Sequence, residues 1–379
     1  MVLNKVVKVC WLFHEIFGKH FIAVIAVMKK NFLFNSLSVV LMALLFFNCN
    51  QGRKGDGAEQ SSPEPIAEVS EGMKWIAGGE FMMGTNDESA YSHEGPAHPV
   101  VVKGFYIDET EVTNIEFKRF VEATGYRTTA EMAPQWEELK KQLPPETPRP
   151  DAPFKPGSLV FVEPTEIVES FQDYSQWWHW VEGANWQHPE GPESNLEQRW
   201  NHPVVQVSYN DAVAYCTWAK KRLPTEAEWE FASRGGKENQ VYSWGNEFKV
   251  NGKFMANTFQ GSFPNRNTVE DGFVNTSPIK TFPASPYGLF DMIGNVWEWT
   301  TDRYDFNYYK EVSNQGKVSN PIGSTVCFDP NEPYAIKYVT RGGSFLCADN
   351  YCSNFRTTAR QGTAFDSGSS NVGFRCVRD

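Results

Sequence analysis

Arg341-Gly-Gly-Ser344-Phe-Leu-Cys347-Ala-Asp-Asn-Tyr351-Cys352 runs on through Phe355-Arg356 and is closed by Asn371-Val-Gly-Phe-Arg375-Cys376. Two cysteines five positions apart, after a Gly-Gly turn and among Ser, Tyr and Arg side chains, have the make-up of a site rather than of a core. Ala348-Asp349-Asn350 is a turn sequence, and a short loop can bring two sulfurs together, so a short-loop disulfide is one reading of the pair. A metal is the other, and it must be one that two thiolates satisfy. Zinc takes four ligands, and no second Cys/His cluster accompanies the pair. Soft Cu(I) fits two thiolates better.

Around this stretch the chain is rich in large rings and chain breakers. Its 379 residues include 13 Trp, 29 Gly and 23 Pro, which implies a loop-rich fold whose few regular elements are pinned by aromatic packing. Such folds carry their sites on loops. The net charge of −11, with no basic cluster, excludes nucleic acid as a partner.

Residues 1–48 read as an export signal. Met28-Lys29-Lys30 forms its basic region, which places the true start at Met28, and Phe32 to Phe47 form its apolar region. Cys49 follows at once, as at a bacterial lipoprotein processing site, so the chain is expected to be exported and held at the periplasmic or cell-envelope side by a lipid on Cys49. An uncleaved membrane anchor is the alternative. Residues 49–72, rich in Gly, Ser, Pro and Glu, read as a disordered tether, and residues 73–379 as the folded domain.

Within that domain, Trp75 to Gly84 and Val100 to Ile107 read as two strands joined by a polar loop, with His93 and His98 as loop residues rather than ligands. Thr113 with Glu116, and Thr225 with Glu228, have the spacing of capping boxes, and Ser208-Tyr-Asn-Asp211 caps another helix. Pro134 to Pro164 reads as an irregular excursion, the tryptophan run 177–180 has neither helical nor strand period, and the chain beyond Gly235-Gly236 reads as loops and short strands. Trp297-Glu298-Trp299 alternates like a core strand.

The order of these motifs carries a resemblance. Gly79-Glu-Phe-Met-Met-Gly84, Glu111-Val-Thr-Asn114, His202-Pro-Val204, Asp211 to Trp218, Arg222-Leu-Pro-Thr-Glu-Ala-Glu-Trp-Glu230, Gly294-Asn-Val-Trp-Glu-Trp299, Arg341-Gly-Gly-Ser344 and Asn371-Val-Gly-Phe-Arg375 resemble the formylglycine-generating enzyme (sulfatase-modifying factor) family. The likeness implies an α+β fold of the formylglycine-generating-enzyme, C-type-lectin-like kind, loop-rich and low in regular secondary structure. It implies a copper-dependent oxidase that uses O2 and a thiol reductant. The substrate would be the cysteine of a Cys-x-Pro-x-Arg segment in an unfolded sulfatase polypeptide, converted to Cα-formylglycine by a monomeric enzyme.

Residue by residue, the resemblance implies Cu(I) on Cys347 and Cys352, an oxygen pocket lined by Ser344, Tyr351 and Trp297, and a substrate cleft shaped by Arg356 and Asn371. It implies two Ca2+ sites, one at Asn257, Thr258, Asp271 and Phe273, the other at Asp291, Gly294, Val296 and Glu298; carboxylate and carbonyl oxygens suit a hard cation. It also pairs Cys216 with Cys376. Three features depart from the family: Ser233 and Thr357 replace a second disulfide, the stretch from Leu143 to Pro156 is a proline-rich insertion, and Cys327 has no counterpart. Relatives share the fold without the chemistry, so a noncatalytic lipoprotein acting as a binding or assembly module is the alternative function. An iron-dependent sulfoxide synthase would need a His-rich site, and the seven histidines show no such grouping.

Overall fold

The computed structural model describes residues Gly72–Asp379; the export signal, Cys49 and the tether up to Glu71 fall outside the described residues. The two amino-terminal apolar runs each break in the middle. Strands β1 (Met73–Ile76) and β2 (Gly79–Met83) are separated at Gly78, and β3 (His98–Val102) and β4 (Phe105–Asp108) at Gly104. Gly78 has φ +73°, and a Cβ there would strike the carbonyl of Val102, so a side chain is excluded at the crossing of the two runs. β2 pairs with β3 and β1 with β4, and each run therefore serves two sheets instead of one hairpin.

Three helices follow their capping signals. Helix α1 (Asn114–Thr124) starts at Thr113, whose main-chain N donates to Glu116 Oε2 at 2.8 Å, and stops at Gly125 with φ +67°. The excursion after Pro134 contains a single-turn helix α2 (Trp136–Leu139) and a strand β5 (Gly157–Phe161), which pairs with β6 (Trp178–Glu182). Residues 178–180 of the tryptophan run thus lie in a strand, while Trp177, just ahead of it, is fully buried. No side chain of β6 is fully buried, and its alternation lasts only three residues. Helices α3 (Tyr209–Trp218) and α4 (Glu226–Arg234) start at Ser208 and Thr225, both with complete capping boxes.

The carboxy-terminal half is organised by β7 (Trp297–Arg303), central in a sheet with β8 (Lys337–Arg341), β9 (Arg360–Ala364) and β10 (Val372–Gly373). β7 runs antiparallel to β8 and parallel to β10. Between β7 and β8 lies a six-residue helix α5 (Tyr308–Ser313), in a stretch read from sequence as loops. It is too short to show a period, and its anchor is tertiary: Tyr309 is fully buried and donates its hydroxyl to Glu226 Oε1 at 3.1 Å. The last strand, β11 (Val377–Arg378), returns to pair with β4.

A lattice of buried charges ties α4 to the sheet. Arg341 reaches Glu226 at 3.0 Å and Glu230 at 2.5 Å, Arg360 reaches Glu226 at 2.7 Å, and all four side chains are fully buried. Burial alone would raise the two carboxyls, yet the guanidiniums of Arg360, Arg341 and Arg234 hold both below the ordinary range. Removing one partner of such a pair leaves a bare buried charge and costs about 3–5 kcal/mol. Arg341, the last residue of β8, is thereby fixed, and the cysteine stretch starts from it.

Candidate active site

The turn after Arg341 needs glycine twice. Gly342 and Gly343 have φ of +96° and +76°, and a Cβ on Gly343 would lie 2.9 Å from Asn354 O. The turn delivers Ser344, whose carbonyl accepts Cys347 N at 2.9 Å. Ala348 O then accepts both Tyr351 N (3.1 Å) and Cys352 N (2.9 Å), which folds the chain back on itself. Cys347 Sγ and Cys352 Sγ meet at 2.7 Å, the first buried and the second half-buried.

The two thiols are not equivalent. Burial pushes Cys347 well up from its ordinary value, and its contact with Cys352 adds to the rise. Cys352 is held below the ordinary thiol range, first by the Cys347 hydrogen bond and then by Asn354, with the Arg356 charge contributing. Ser344 Oγ accepts Asn371 Nδ2 at 3.1 Å, and Asn371 Oδ1 accepts Ser369 Oγ at 2.9 Å. Trp297 packs in the same apolar cluster as Cys347 and donates its main-chain N to Asn371 O at 2.9 Å. Tyr351 stacks on Phe263, centroids 4.3 Å apart and planes 10° from parallel, with Trp177 edge-on at 6.0 Å. Ser344, Trp297, Tyr351 and Asn371 are thus gathered around the thiol pair. Arg356 stands four residues beyond it, donating Nη2 to Glu94 Oε1 at 2.7 Å.

As a donor set, two sulfurs suit a soft ion. Among the described residues no group of three or more His, Cys, Asp or Glu converges as a site for a harder transition metal.

The first of the two oxygen-rich groups fits a hard cation. Gln260 Nε2 donates both to Thr258 O and, at 2.7 Å, to Asp271 Oδ2, so these oxygens already converge on a positive hydrogen; Asn257 Oδ1 is buried with no partner. Phe273 N caps Asp271 Oδ1 at 3.0 Å. The second group is more committed elsewhere. Glu298 accepts Arg375 Nε and Nη2, each at 2.7 Å, and Trp229 Nε1 at 2.8 Å; Asp291 Oδ2 accepts Lys280 N at 2.9 Å. A cation at Asp291, Gly294, Val296 and Glu298 therefore has to compete with Arg375 for Glu298. Both groups touch the cysteine stretch through main chain: Phe259 N donates to Cys347 O at 3.0 Å, Phe345 N to Asn295 O at 2.9 Å, and Gly294 N to Gly342 O at 2.9 Å.

Cys216 on α3 and Cys376 beside β11 also meet, Sγ to Sγ 2.7 Å, both buried. Cys327 stands apart from both pairs, half-buried, with Lys337 N donating to its sulfur at 3.0 Å. Ser233 is buried, and Thr357 donates its hydroxyl to Val241 O at 3.3 Å. Just ahead of the insertion, the Gln142 amide donates to Asp366 Oδ2 at 2.7 Å and accepts Ile336 N at 3.0 Å. Sequence reading passed over Tyr91 and Glu94. They lie in a polar loop more than 250 residues ahead of Arg356 with no motif of their own, yet Glu94 holds Arg356 and the Tyr91 phenol is pushed up by burial and by the nearby Cys352 thiol.

Residues 59–379 match the family described as the sulfatase-modifying factor enzyme 1-like domain. The chain is 43% identical to the formylglycine-generating enzyme of Mus musculus, over 84% of this chain and 77% of that protein. It is 44% identical to the formylglycine-generating enzyme of Mycobacterium tuberculosis, over 80% and 96%. It is also 39% identical to the inactive C-alpha-formylglycine-generating enzyme 2 of Bos taurus, over 80% and 87%.

Proposed function

The chain belongs to the sulfatase-modifying factor enzyme family, and on that premise we propose that it is a formylglycine-generating oxidase acting on the cysteine of a Cys-x-Pro-x-Arg segment. Because a relative at 39% identity carries the word inactive in its name, overall similarity does not decide the activity. What supports it is the geometry of the thiol pair: Cys347 and Cys352 meet at the end of a glycine turn, with the Asn371–Ser344 hydrogen bond and the Tyr351–Phe263 stack beside them.

In this reading Cys347 and Cys352 hold one Cu(I), which when bound supplies the chemistry that activates O2 for oxidation of the substrate cysteine. The protein's own residues do the rest. Asn371 orients the Ser344 hydroxyl against the thiol pair. Trp297, with the Tyr351–Phe263 stack, walls the site against bulk water, and Arg356 meets the peptide. The balance requires two electrons and two protons from a thiol donor: the substrate thiol and O2 become aldehyde, sulfide and water while two donor thiols become a disulfide. The two Ca2+ sites serve the fold, and the Cys216–Cys376 pair closes as a disulfide in an exported, Cys49-lipidated, monomeric protein.

Incubating the protein with a Cys-x-Pro-x-Arg peptide, Cu(I), O2 and dithiothreitol, and weighing the peptide, tests the reading. Conversion of the thiol to an aldehyde is expected. An unaltered peptide together with protein that binds no copper would move the assignment to a noncatalytic lipoprotein of the same family.

A further inference from the structure

Behind Arg356 sits a buried carboxylate that the reaction outlined above does not use. Glu94 ends the short turn Ser92–Glu94 and is fully buried, with both oxygens engaged. Oε1 accepts Arg356 Nη2 at 2.7 Å and the main-chain N of Tyr91 at 3.2 Å; Oε2 accepts the Thr358 hydroxyl at 2.9 Å. Arg356 also donates Nε to Ser353 O at 2.9 Å. Two of its three guanidinium nitrogens are therefore fixed, and Nη1 has no hydrogen-bond partner among the described residues. The turn itself cannot drift, because His93 Nε2 meets Arg360 O at 3.1 Å while Arg360 Nη1 donates to His93 O at 3.2 Å.

A guanidinium held this way is a donor on a fixed bearing, and little rotamer freedom is left to lose when a ligand takes it. Its charge is already balanced by Glu94. The pair offers a directed N–H without net charge, which suits a neutral acceptor such as a peptide carbonyl better than a carboxylate. We propose that Glu94 is a positioning residue for the substrate, fixing the Arg356 guanidinium so that its Nη1 donates to a main-chain carbonyl of the extended peptide beside the substrate cysteine. The inference rests on the reading of the site as a peptide-oxidising one.

The test is a double-mutant cycle on binding, with no turnover required. A fluorescein-labelled Cys-x-Pro-x-Arg peptide, its cysteine replaced by serine, is titrated by anisotropy, without added copper and with Ca2+ kept in the buffer, into wild type, E94Q, R356M, the double variant and T358V. R356M should weaken binding roughly tenfold, as for loss of one hydrogen bond from a charged donor. E94Q, although it does not touch the peptide, should cost a similar factor, and the double variant should bind no more weakly than R356M alone. T358V removes one bond to Glu94 and should shift affinity the same way by about two- to threefold, so the test survives if E94Q does not fold. In turnover with the cysteine peptide, E94Q should raise KM more than it lowers kcat. Additive effects in the cycle, or E94Q and T358V that bind the peptide like wild type, would overturn the positioning role alone. Wild-type protein that does not bind the peptide would overturn the reading of the site beneath it.

Discussion

Two pairs of sulfurs stand at the same 2.7 Å in one apolar cluster, and little else about them is alike. Cys216 and Cys376 come together from 160 residues apart, both buried, with helix α3 on one side and the last strand on the other. Burial pushes Cys376 well up, and the nearby Asp108 charge pushes the same way. Cys347 and Cys352 are five residues apart on a loop, with a guanidinium four residues on, the first buried and the second half-buried. Separation does not distinguish a structural pair from a reactive one. Surroundings do: Cys352 is only half-buried, so a metal or a reactant can reach its sulfur, whereas Cys216 and Cys376 are both sealed in the core.

The sharpest way to break this contrast is to replace one sulfur from each pair. C352S should abolish stoichiometric Cu(I) binding and lower turnover by a factor on the order of 10³ or more, while leaving a folded protein. Copper titration and peptide mass analysis check this; retained copper binding by C352S would remove the distinction. C216S should do the reverse. Closing a loop of about 160 residues contributes about 4–5 kcal/mol in the chain-entropy model, so the melting temperature should fall steeply while oxidation stays measurable below it. If non-reducing peptide mapping finds both thiols free and C216S melts like wild type, the pair is not structural.

The proposed calcium offers a gentler probe, because the first oxygen group is joined to the Cys347 main chain. The loop of Asn257, Thr258 and Asp271 passes through Phe259 N to Cys347 O. Chelation with EGTA should lower the melting temperature by several degrees, the linkage expected for a ligand bound by the native state alone. It should also speed alkylation of Cys352. An unchanged melting curve, with no calcium by elemental analysis, would leave the oxygen cage as an ordinary hydrogen-bonded loop.

The sequence made some of this legible and hid the rest for physical reasons. Capping boxes at Thr113, Ser208 and Thr225 are local, four-residue devices, and each helix starts where its box says. The thiol pair was legible because its two members are close in sequence. The strand of Trp178–Glu182 was not, since no side chain of it is fully buried and its alternation, Trp178-His179-Trp180, lasts only three residues. Nor was α5, whose one fully buried ring, Tyr309, is held by Glu226 some 83 residues away. Glu94 was hidden for the same reason: its partners Arg356 and Thr358 lie 262 and 264 residues downstream, and no period or spacing links residues that meet only through the fold.

The smallest expected effect lies at the far end of the strand that serves the shared cluster. β7 sends Trp297 and Trp299 into it and then buries Asp302, whose Oδ2 accepts Glu226 N at 2.9 Å and the Thr301 hydroxyl at 3.0 Å. Burial, and then the like charge of Glu226, push this carboxyl up from an ordinary 3.8 to about 7. The sign follows from which state holds the proton. Between those two values the folded chain keeps a proton that the unfolded chain has lost, so the stability contribution is fully present below about pH 4 and is lost as pH rises through about 7. D302N keeps an oxygen for Glu226 N and has no proton to lose. Relative to wild type it should therefore gain stability as pH rises from 4 to 8, by an amount on the order of 1–3 kcal/mol. Copper binding and the mapping of both thiol pairs should not change, because Asp302 contacts neither. Differential scanning calorimetry of the two proteins across that pH range isolates the term, since every other titrating group is common to both. A wild-type minus D302N difference that stays flat would mean that the Asp302 carboxyl is not raised by the fold, and one that tracks copper occupancy would mean that this end of the strand is coupled to the reactive pair.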